Sequence, residues 1–325
     1  MLVLSAKSQM ELMDMKEILQ CIEVALEAYS ASDTDTPIRT VLPFGNENSG
    51  VVMPAVAEGL ESMGLKYVTV VPSNADIGKK VINGVVLLSD IVTGETLALL
   101  EGSYLTQLRT GALSGVATKY LAREDSKTLG IIGTGVQAKG LCEAILAVRE
   151  IDTIYLHNRS AEKAIAFSEY VVSKFNKQVV ICLDANELLE KTDILVTATT
   201  SMDPVFTAAL KPGVHVNGVG SFKPTMQELP LNAICDAAKV VVESKESALE
   251  EAGDLVIPIQ AGQFSKEDVH GELGQIISGE LPGRESEDEV TVFKSVGLAI
   301  ADIVIAKYLY EKATKNKAGV TVDLT

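Results

Sequence analysis

The sequence predicts an α/β protein with two domains, and three observations lead to that prediction. Strand-like and helix-like segments alternate from Ser126 to about Val242, a pattern typical of a parallel sheet covered by helices on both faces. A glycine-rich turn joins the first of these strands to the helix after it. The chain has 325 residues, which is long for a single hydrophobic core. We therefore expect a doubly wound α/β domain at residues 123–295 and a second, α+β domain at 1–122 with 296–325.

The N-terminal region combines one helical pattern with short strand-like runs. Apolar residues recur at helical spacing from Met10 to Tyr29. A second helix is expected from about Leu105 to Ala122, and the turn at Thr93-Gly94 predicts an antiparallel hairpin just before it. The strand-like runs of this region are residues 51–53, 66–71, 85–88 and 96–100.

The middle region supplies the strands of the predicted parallel sheet. The candidates are Thr128–Ile132, Thr153–His157, Val179–Cys182, Ile194–Ala198, Val214–Val219 and Lys239–Val242. A charged loop at Leu281–Asp288 follows, and a last helix is expected from about Glu289 to Ala313. We expect this helix to return to the N-terminal domain.

Composition and charge exclude several classes of protein. Apolar residues make up 47% and charged residues 22%, which is ordinary for a globular protein. A net charge of −16 argues against nucleic acid or an anionic membrane surface as a partner. Four cysteines and three histidines are too scattered to form a metal site. With no secretory pattern at the N-terminus, we expect a cytoplasmic protein that binds no metal.

The glycine-rich turn has the spacing of a dinucleotide-binding loop. It follows a predicted strand and opens an amphipathic helix, as the Rossmann fingerprint requires. Gly133 permits the tight turn, Gly135 leaves room for a pyrophosphate, and Ala138 allows close helix packing. The N-terminus of the helix adds free N–H donors. The predicted loop residues are Gly133, Thr134, Gly135, Val136, Gln137 and Ala138.

The residues at the end of the second strand of the Rossmann domain indicate whether NADH or NADPH is preferred. NAD-specific sites usually carry an acidic residue there, whereas this chain has Asn158, Arg159 and Ser160 after His157. Arginine pairs well with a 2′-phosphate. We therefore expect NADPH to be preferred, with NADH also possible. The alternative is that Arg159 only begins a solvent-exposed helix.

Two further segments end strands at the carboxyl edge of the sheet, where ligands bind in such folds. They contain Thr197, Ala198 and Thr199 in one case and Val219 and Gly220 in the other. We expect them to lie beside the nicotinamide, although both can equally be ordinary tight connections.

Three cations of the N-terminal region are candidates for binding a carboxylate. Arg39 lies in a polar loop, Lys66 opens a strand, and Arg109 lies in a largely apolar helix. A charge among apolar neighbours needs a partner, and the guanidinium group matches a carboxylate in two-point fashion. Taken singly, each is equally well explained as a surface or salt-bridged base.

Many motifs, in order along the chain, resemble those of the ornithine cyclodeaminase/mu-crystallin family. They are residues 37–39, 64–68, 72–74, 105–112, 133–138, 250–254, 272–274 and 291–297. The resemblance implies a Rossmann domain joined to a substrate domain whose sheet also forms a homodimer. It also implies that Arg39, Lys66 and Arg109 hold the substrate carboxylate beside the reacting carbon–nitrogen bond.

The family contains several activities, and one segment helps to separate them. In its cyclodeaminases an aspartate follows the strand that ends in Val-Gly. Here Phe222 stands at that position and Lys223 follows, which is more similar to the ketimine reductases. Phenylalanine cannot act as the base that frees an amine for ring closure. Lys66, with a pKa lowered by burial and nearby cations, would protonate the imine nitrogen.

The predicted activity is therefore reduction of Δ1-pyrroline-2-carboxylate or piperideine-2-carboxylate to L-proline or L-pipecolate. Lys66 and Arg109 are the predicted catalytic residues, Arg39, Met53 and Ser221 are further substrate ligands, and Thr110 is a further coenzyme ligand. Ornithine cyclodeaminase, a linear amino-acid dehydrogenase of the alanine type, and an NADPH-dependent binding protein without turnover are the alternatives.

Overall fold

The computed structural model describes residues 1–45 and 47–323, which form two compact units. The first contains Met1–Arg109 together with the segment that begins at Gly297, and the second contains Thr110–Val296. The first boundary follows Arg109, inside a helix that ends at Leu121, whereas the sequence placed the boundary after residue 122. The substrate-binding and dimerisation roles expected of the first unit stay predictions.

The elements of the first unit come from both ends of the chain. From the N-terminus they are β1 (Leu2–Leu4), α1 (Ala6–Leu12), α2 (Met15–Ser30), β2 (Thr40–Phe44), β3 (Asn48–Ala57), β4 (Ser62–Val70), β5 (Ile82–Ser89) and β6 (Thr96–Glu101). Helix α3 (Gly102–Leu121) then leads into the second unit.

The second unit alternates strands and helices. Its strands are β7 (Thr128–Ile132), β8 (Thr153–His157), β9 (Gln178–Ile181), β10 (Ile194–Thr197), β11 (His215–Gly218), β12 (Lys239–Val242), β13 (Gly271–Glu272) and β14 (Thr291–Lys294). Its helices are α4 (Val136–Val148), α5 (Ala161–Phe175), α6 (Ala185–Glu190), α7 (Leu231–Cys235), α8 (Lys245–Glu251), α9 (Gly253–Gln260) and α10 (Leu273–Ile277). The chain then forms α11 (Ala299–Asn316) and β15 (Val320–Thr321) of the first unit.

The sheet of the first unit has the strand order β15-β1-β6-β5-β4-β3-β2. Its strands β2 to β6 run antiparallel in sequence order, and the predicted hairpin is β5–β6. Helix α11 packs on α2 and on β3, β4 and β5. Met53, Lys66 and Val86 are paired across three of these strands and are buried on one face. The neighbouring positions Tyr67 and Val85 therefore point to the opposite face, because side chains alternate along a strand.

The sheet of the second unit is entirely parallel and has the order β13-β12-β14-β11-β10-β7-β8-β9. Starting from β7, the sheet continues through β8 and β9 on one side and through β10 and β11 on the other. This is the doubly wound order of a Rossmann domain, with its switch point between β7 and β10. The predicted fold class is confirmed, and strands β7, β8 and β12 have the predicted bounds.

Two helix predictions were wrong at their N-terminal ends. The helical pattern from Met10 to Tyr29 is broken between α1 and α2, because the Asp14 carboxylate accepts the N–H groups of Lys16 and Glu17 and so caps a new helix. The helix that was expected to begin at Glu289 begins only at Ala299. It belongs to the first unit, where the sequence predicted it.

The residues taken for the start of that last helix are strand β14. All four of its residues are buried between β11 and β12. The strand has only four residues, with polar Thr291 and Lys294 at its ends, so it is too short for periodicity to distinguish it from a turn of helix.

Helix α3 is held tightly within the second unit over its last turns. Gly111 lies so close to the Gly140 carbonyl of α4 that a Cβ atom would overlap it. At the end of α3 the Arg149 guanidinium donates to the carbonyls of Thr118, Lys119 and Ala122, which satisfies acceptors that a helix end leaves open.

Within the described ranges, no helix has the length and apolar character that crossing a bilayer requires. The same residues contain no group of three His, Cys, Asp or Glu side chains arranged to hold a metal ion.

Candidate active site and coenzyme site

The glycine-rich loop between β7 and α4 lies against the ends of the neighbouring strands. Gly133 has φ +94°, and its N–H donates to the His157 carbonyl at the end of β8. A Cβ atom at Gly133 would lie 2.6 Å from the Ala198 carbonyl oxygen, just after β10. Only glycine tolerates both conditions, so the loop is seated at the switch point of the sheet.

The residues of this loop fit the pyrophosphate of a dinucleotide. Gly135 caps α4 without a side-chain hydrogen bond, and although the Ala138 N–H donates to the Gly135 carbonyl, the N–H groups of Val136 and Gln137 precede the first intrahelical bonds. A Cβ atom built on Gly135 would meet nothing within 4 Å, which leaves the loop open above it. Thr134 Oγ1 and Gln137 Oε1 are buried without a hydrogen-bond partner among the described residues. Free N–H groups at a helix N-terminus are a ready site for phosphate.

Two other loop residues lie at the start of the same helix. Val136 is exposed, and Ala138 is fully buried against the sheet, as the close packing of this fold requires.

Of the three residues after β8, two make hydrogen bonds within the protein and the third is exposed. Asn158 accepts the Thr134 N–H at 3.2 Å and donates to the Ser160 carbonyl. The Ser160 hydroxyl accepts the Lys163 N–H and thereby caps α5. Arg159 is exposed, and no hydrogen bond or ion pair is found for it in residues 1–45 and 47–323. It is therefore available to a ligand.

The segments after β10 and β11 approach one buried carboxylate, that of Glu228, which receives the N–H groups of Thr199 and Gly220. Ser221 is fully buried, and its hydroxyl donates to the Met226 carbonyl at 2.8 Å. The structure thus gives the Ser221 hydroxyl an internal partner.

The remaining predicted coenzyme ligands differ in burial. Thr197 and Thr110 are buried, whereas Ala198 and Val219 are partly exposed.

Two cations of the first unit share one buried carboxylate. Lys66 is 2% exposed, and its Nζ donates to Asp302 Oδ2 at 2.5 Å. The Nε of Arg109 lies 3.3 Å from the other oxygen, Asp302 Oδ1, and the Asp302 side chain is fully buried. A buried charge without a partner strongly destabilises a fold. Asp302 therefore allows both cations to lie inside this unit.

The third predicted cation is attached to the same region through Gly297. Arg39 Nη2 donates to the Gly297 carbonyl at 3.1 Å. Gly297 has φ +92° and lies so close to the Arg109 guanidinium that a Cβ atom would overlap it. We call Arg39, Lys66, Arg109 and Asp302 the cation cluster. Met53, paired with Lys66 across β3 and β4, is buried beside it.

The cation cluster has an excess of positive charge and contains one group that titrates near neutral pH. Burial lowers the pKa of Lys66 to about 7, with Arg109 and Arg39 acting in the same direction and Asp302 opposing them. With Lys66 protonated, the positive charges of Lys66 and Arg109 share the one carboxylate of Asp302. This arrangement favours an anionic ligand and provides a proton donor in the same place.

The structure therefore brings together Arg39, Lys66 and Arg109, and their predicted roles stay predictions. Sequence reasoning missed Asp302, although its signal was present: it is a lone carboxylate in the otherwise apolar run from Ala299 to Ala306. It also missed Glu228, which lies in an ordinary-looking loop and offers no such signal.

Comparison with known proteins agrees with the motifs and the geometry. Residues 1–317 match the model of the ornithine cyclodeaminase/mu-crystallin family. The chain belongs to that family. The Δ1-pyrroline-2-carboxylate reductase of Bacillus cereus is 60% identical over 324 residues, which is 99% of this chain and 100% of that protein. The predicted family and its predicted ketimine reductase branch are confirmed.

Two solved structures of family members superimpose on the whole chain. The Thermococcus litoralis Δ1-pyrroline-2-carboxylate reductase, in complex with NADH and L-proline, is 38% identical with a TM-score of 0.95, covering 99% of this chain and 100% of its own. An archaeal alanine dehydrogenase dimer with bound NAD is 33% identical with a TM-score of 0.92, covering 100% and 99%. These relatives confirm the predicted enzyme class, an NAD(P)-dependent oxidoreductase acting on carbon–nitrogen bonds.

Proposed function

We propose that this protein reduces a cyclic ketimine acid, Δ1-pyrroline-2-carboxylate or its six-membered homologue piperideine-2-carboxylate, to L-proline or L-pipecolate. The observation that carries the proposal is the cation cluster, in which Arg109 and a lysine with a pKa near neutrality, Lys66, share the Asp302 carboxylate and Arg39 is held close by through Gly297. The name and the 60% identity of the Bacillus cereus relative support the five-membered ring.

The arginines would bind the substrate carboxylate. Arg39 is half-buried and Arg109 nearly buried, so both are held in place before a ligand arrives. Arginine presents paired N–H donors that match a carboxylate. Because Lys66 and Arg109 share the single negative charge of Asp302, an anion gains from entering. This binding orients the ring and leaves the C=N bond next to Lys66.

Lys66 would supply the proton. In the reaction a hydride is added to the imine carbon and a proton to the imine nitrogen, giving a secondary amine. The nicotinamide coenzyme supplies the hydride when it is bound. The protonated Lys66 ammonium gives up one proton, becomes a neutral amine and is protonated again from water. A pKa near the operating pH suits a general acid.

The segment after β11 favours reduction over cyclodeamination. Phe222 packs against the apolar core of the second unit, and Lys223 is exposed. A cyclodeaminase needs a base near the distal amine of its substrate, because a protonated amine cannot close the ring. The side chain of Phe222 cannot serve as one.

Turnover assays with purified protein test the reaction. We expect oxidation of NADPH or NADH with the cyclic imine acid, and negligible ammonia release from ornithine with NAD. Ammonia release faster than imine reduction would instead establish a cyclodeaminase. Reduction of pyruvate with ammonia in preference to the imine would establish an alanine-type dehydrogenase, and tight NADPH binding without any turnover would leave a binding protein.

The proton-donor role predicts how activity depends on pH. We expect kcat/KM for the imine to fall as pH rises above about 7, because only protonated Lys66 donates a proton. Asp302 raises the pKa of Lys66, so Asp302→Asn should move this fall to lower pH. The measurement is a pH profile of kcat/KM for both proteins.

Glu17→Gln, which removes an exposed carboxylate paired with Lys312, is the control and should leave the profile in place. An unchanged profile in Asp302→Asn would remove Lys66 as the acid.

We further propose that NADPH is preferred over NADH. Residues 157–160 contain no carboxylate to repel a 2′-phosphate, and Arg159 is exposed and available to bind it. The solved relatives contain NADH and NAD, so a residual affinity for the unphosphorylated coenzyme is expected.

Replacing Arg159 tests this preference. Arg159→Ala should raise the Kd for NADPH about tenfold, the loss expected for one charge-assisted contact, and change that for NADH little. Fluorescence titration with both coenzymes measures the two constants, and NADH is the internal control. Equal losses for both would contradict the assignment.

We also propose that a second copy of the chain covers the open face of the first sheet. This face displays Leu42, Tyr67 and Val85, which are 51%, 40% and 38% exposed. An antiparallel sheet usually presents polar side chains to water, and a contiguous apolar patch of this kind is typical of an association surface. The archaeal alanine dehydrogenase is itself described as a dimer.

A charge placed in the centre of that face should disrupt the dimer. Tyr67→Glu buries an unpaired carboxylate in the proposed interface, so we expect a monomer by light scattering after gel filtration. Val92→Glu is the matched control, since Val92 is 89% exposed in the β5–β6 turn, and it should stay dimeric. The proposal fails if wild type is monomeric or if both variants behave alike.

A further inference from the structure

The second unit contains a buried carboxylate that joins two of its loops. Glu228 is fully buried, and its Oε1 accepts the Thr199 N–H at 2.6 Å. Its Oε2 accepts the N–H groups of Gly220 at 2.6 Å and Ser221 at 3.1 Å. The Thr197 hydroxyl also donates to Oε2, at 3.1 Å. Four donors from two separate segments therefore converge on one side chain.

These donors are the first backbone groups beyond the ladder of the sheet. Ala198 N–H still donates to the Ile132 carbonyl, and Val219 N–H to the Thr197 carbonyl. The next N–H groups along each segment, those of Thr199 and Gly220, turn to Glu228 instead. A buried N–H without a partner is costly, so the carboxylate determines where these two segments can go.

Glycine at position 220 makes this convergence possible. A Cβ atom there would overlap the Thr199 carbonyl oxygen and lie 2.5 Å from the Glu228 carboxylate. The two segments therefore pack directly against each other and against the Glu228 carboxylate, and there is no space for a side chain at position 220.

Glu228 is itself anchored to the centre of the sheet. Asp254 Oδ1 accepts the backbone N–H groups of Glu228 at 2.7 Å and Leu229 at 2.9 Å. Asp254 Oδ2 lies 2.9 Å from the Nζ of Lys294 on β14, and both side chains are fully buried. Burial raises the pKa of Glu228, and the charge of Lys294 opposes this. Such a chain of buried charges positions a group precisely only while every member is paired.

The joined segments border the phosphate loop. The Ala198 carbonyl is the atom against which Gly133 packs, and β10 and β7 flank the switch point, outside which ligands bind in this fold. With the pyrophosphate at the α4 N-terminus, the segments after β10 and β11 are the neighbours of this loop on the side away from β8, where the nicotinamide half would extend.

We propose that Glu228 is a positioning residue for the nicotinamide half of the coenzyme, acting through the backbone of residues 197–199 and 219–221. It touches neither substrate nor coenzyme. The adenosine half depends on the loop at 133–138 and on the residues after β8, and it is independent of Glu228. This inference rests on the proposed nicotinamide-dependent reaction, but its test requires no turnover.

The experiment compares two probes, NADPH and 2′-phospho-ADP-ribose, which lacks the nicotinamide ring. Glu228→Gln keeps the shape of the side chain, but its amide NH2 group cannot accept a hydrogen bond from a backbone N–H. We expect the Kd for NADPH to rise about tenfold or more, with the Kd for 2′-phospho-ADP-ribose unchanged, both measured by calorimetry. Thr197→Val removes one donor at similar volume and should give a smaller loss with the same selectivity.

A matched control comes from the opposite edge of the same sheet. Asp193 accepts the N–H groups of Lys127 and Thr128 before β7, so it joins segments at the amino ends of the strands. Asp193→Asn should lower the melting temperature without separating the two probes.

The possible outcomes separate this inference from the proposed function. Equal losses for both probes in Glu228→Gln, or no loss for either, would overturn the positioning role. A selective loss of NADPH affinity would support it even if the imine were not a substrate. Absence of imine reduction in wild type would overturn the proposed function alone.

Discussion

The need to pair buried charge is the constraint on which the rest of the first unit depends. Lys66 and Arg109 lie within an apolar unit, and a single carboxylate, Asp302, serves both. A full complement of acids would make the cluster an inert salt bridge. Asp302 balances only one of the charges of Lys66 and Arg109, and burial, together with the neighbouring guanidinium groups, lowers the pKa of Lys66.

The second unit uses carboxylates for a different purpose. Glu228 and Asp193 accept backbone N–H groups where the strands of the parallel sheet end, one at each edge. At the carboxyl edge the result is a rigid pair of segments beside an open loop. Two side-chain atoms of the loop, Thr134 Oγ1 and Gln137 Oε1, are buried without a hydrogen-bond partner within the described part of the chain. Rigid surroundings and an unsatisfied centre are what a preorganised binding site requires.

The family supports several reactions on one fold, so fold alone does not determine the activity. A few side chains in the site decide which of these reactions takes place. Here Phe222 joins the apolar core of the second unit where a cyclodeaminase carries an aspartate, while the cation cluster supplies what a carboxylate-bearing imine needs. In the proposed function, the absence of a base at position 222 and the presence of an acid at Lys66 separate the two reactions.

Local patterns in the sequence determined the Rossmann sheet and predicted the phosphate loop, because glycine spacing and strand periodicity act over few residues. The three cations were singled out only by the resemblance to a family along the whole chain. Tertiary structure decided what depends on distant neighbours. Strand β14 was mistaken for helix, since four residues are too few to show a period. Asp302 is 236 residues from Lys66 along the chain, and only the packing of α11 on the sheet brings them together. A charge's partner, and hence its pKa, is a property of the folded chain, which no local pattern encodes.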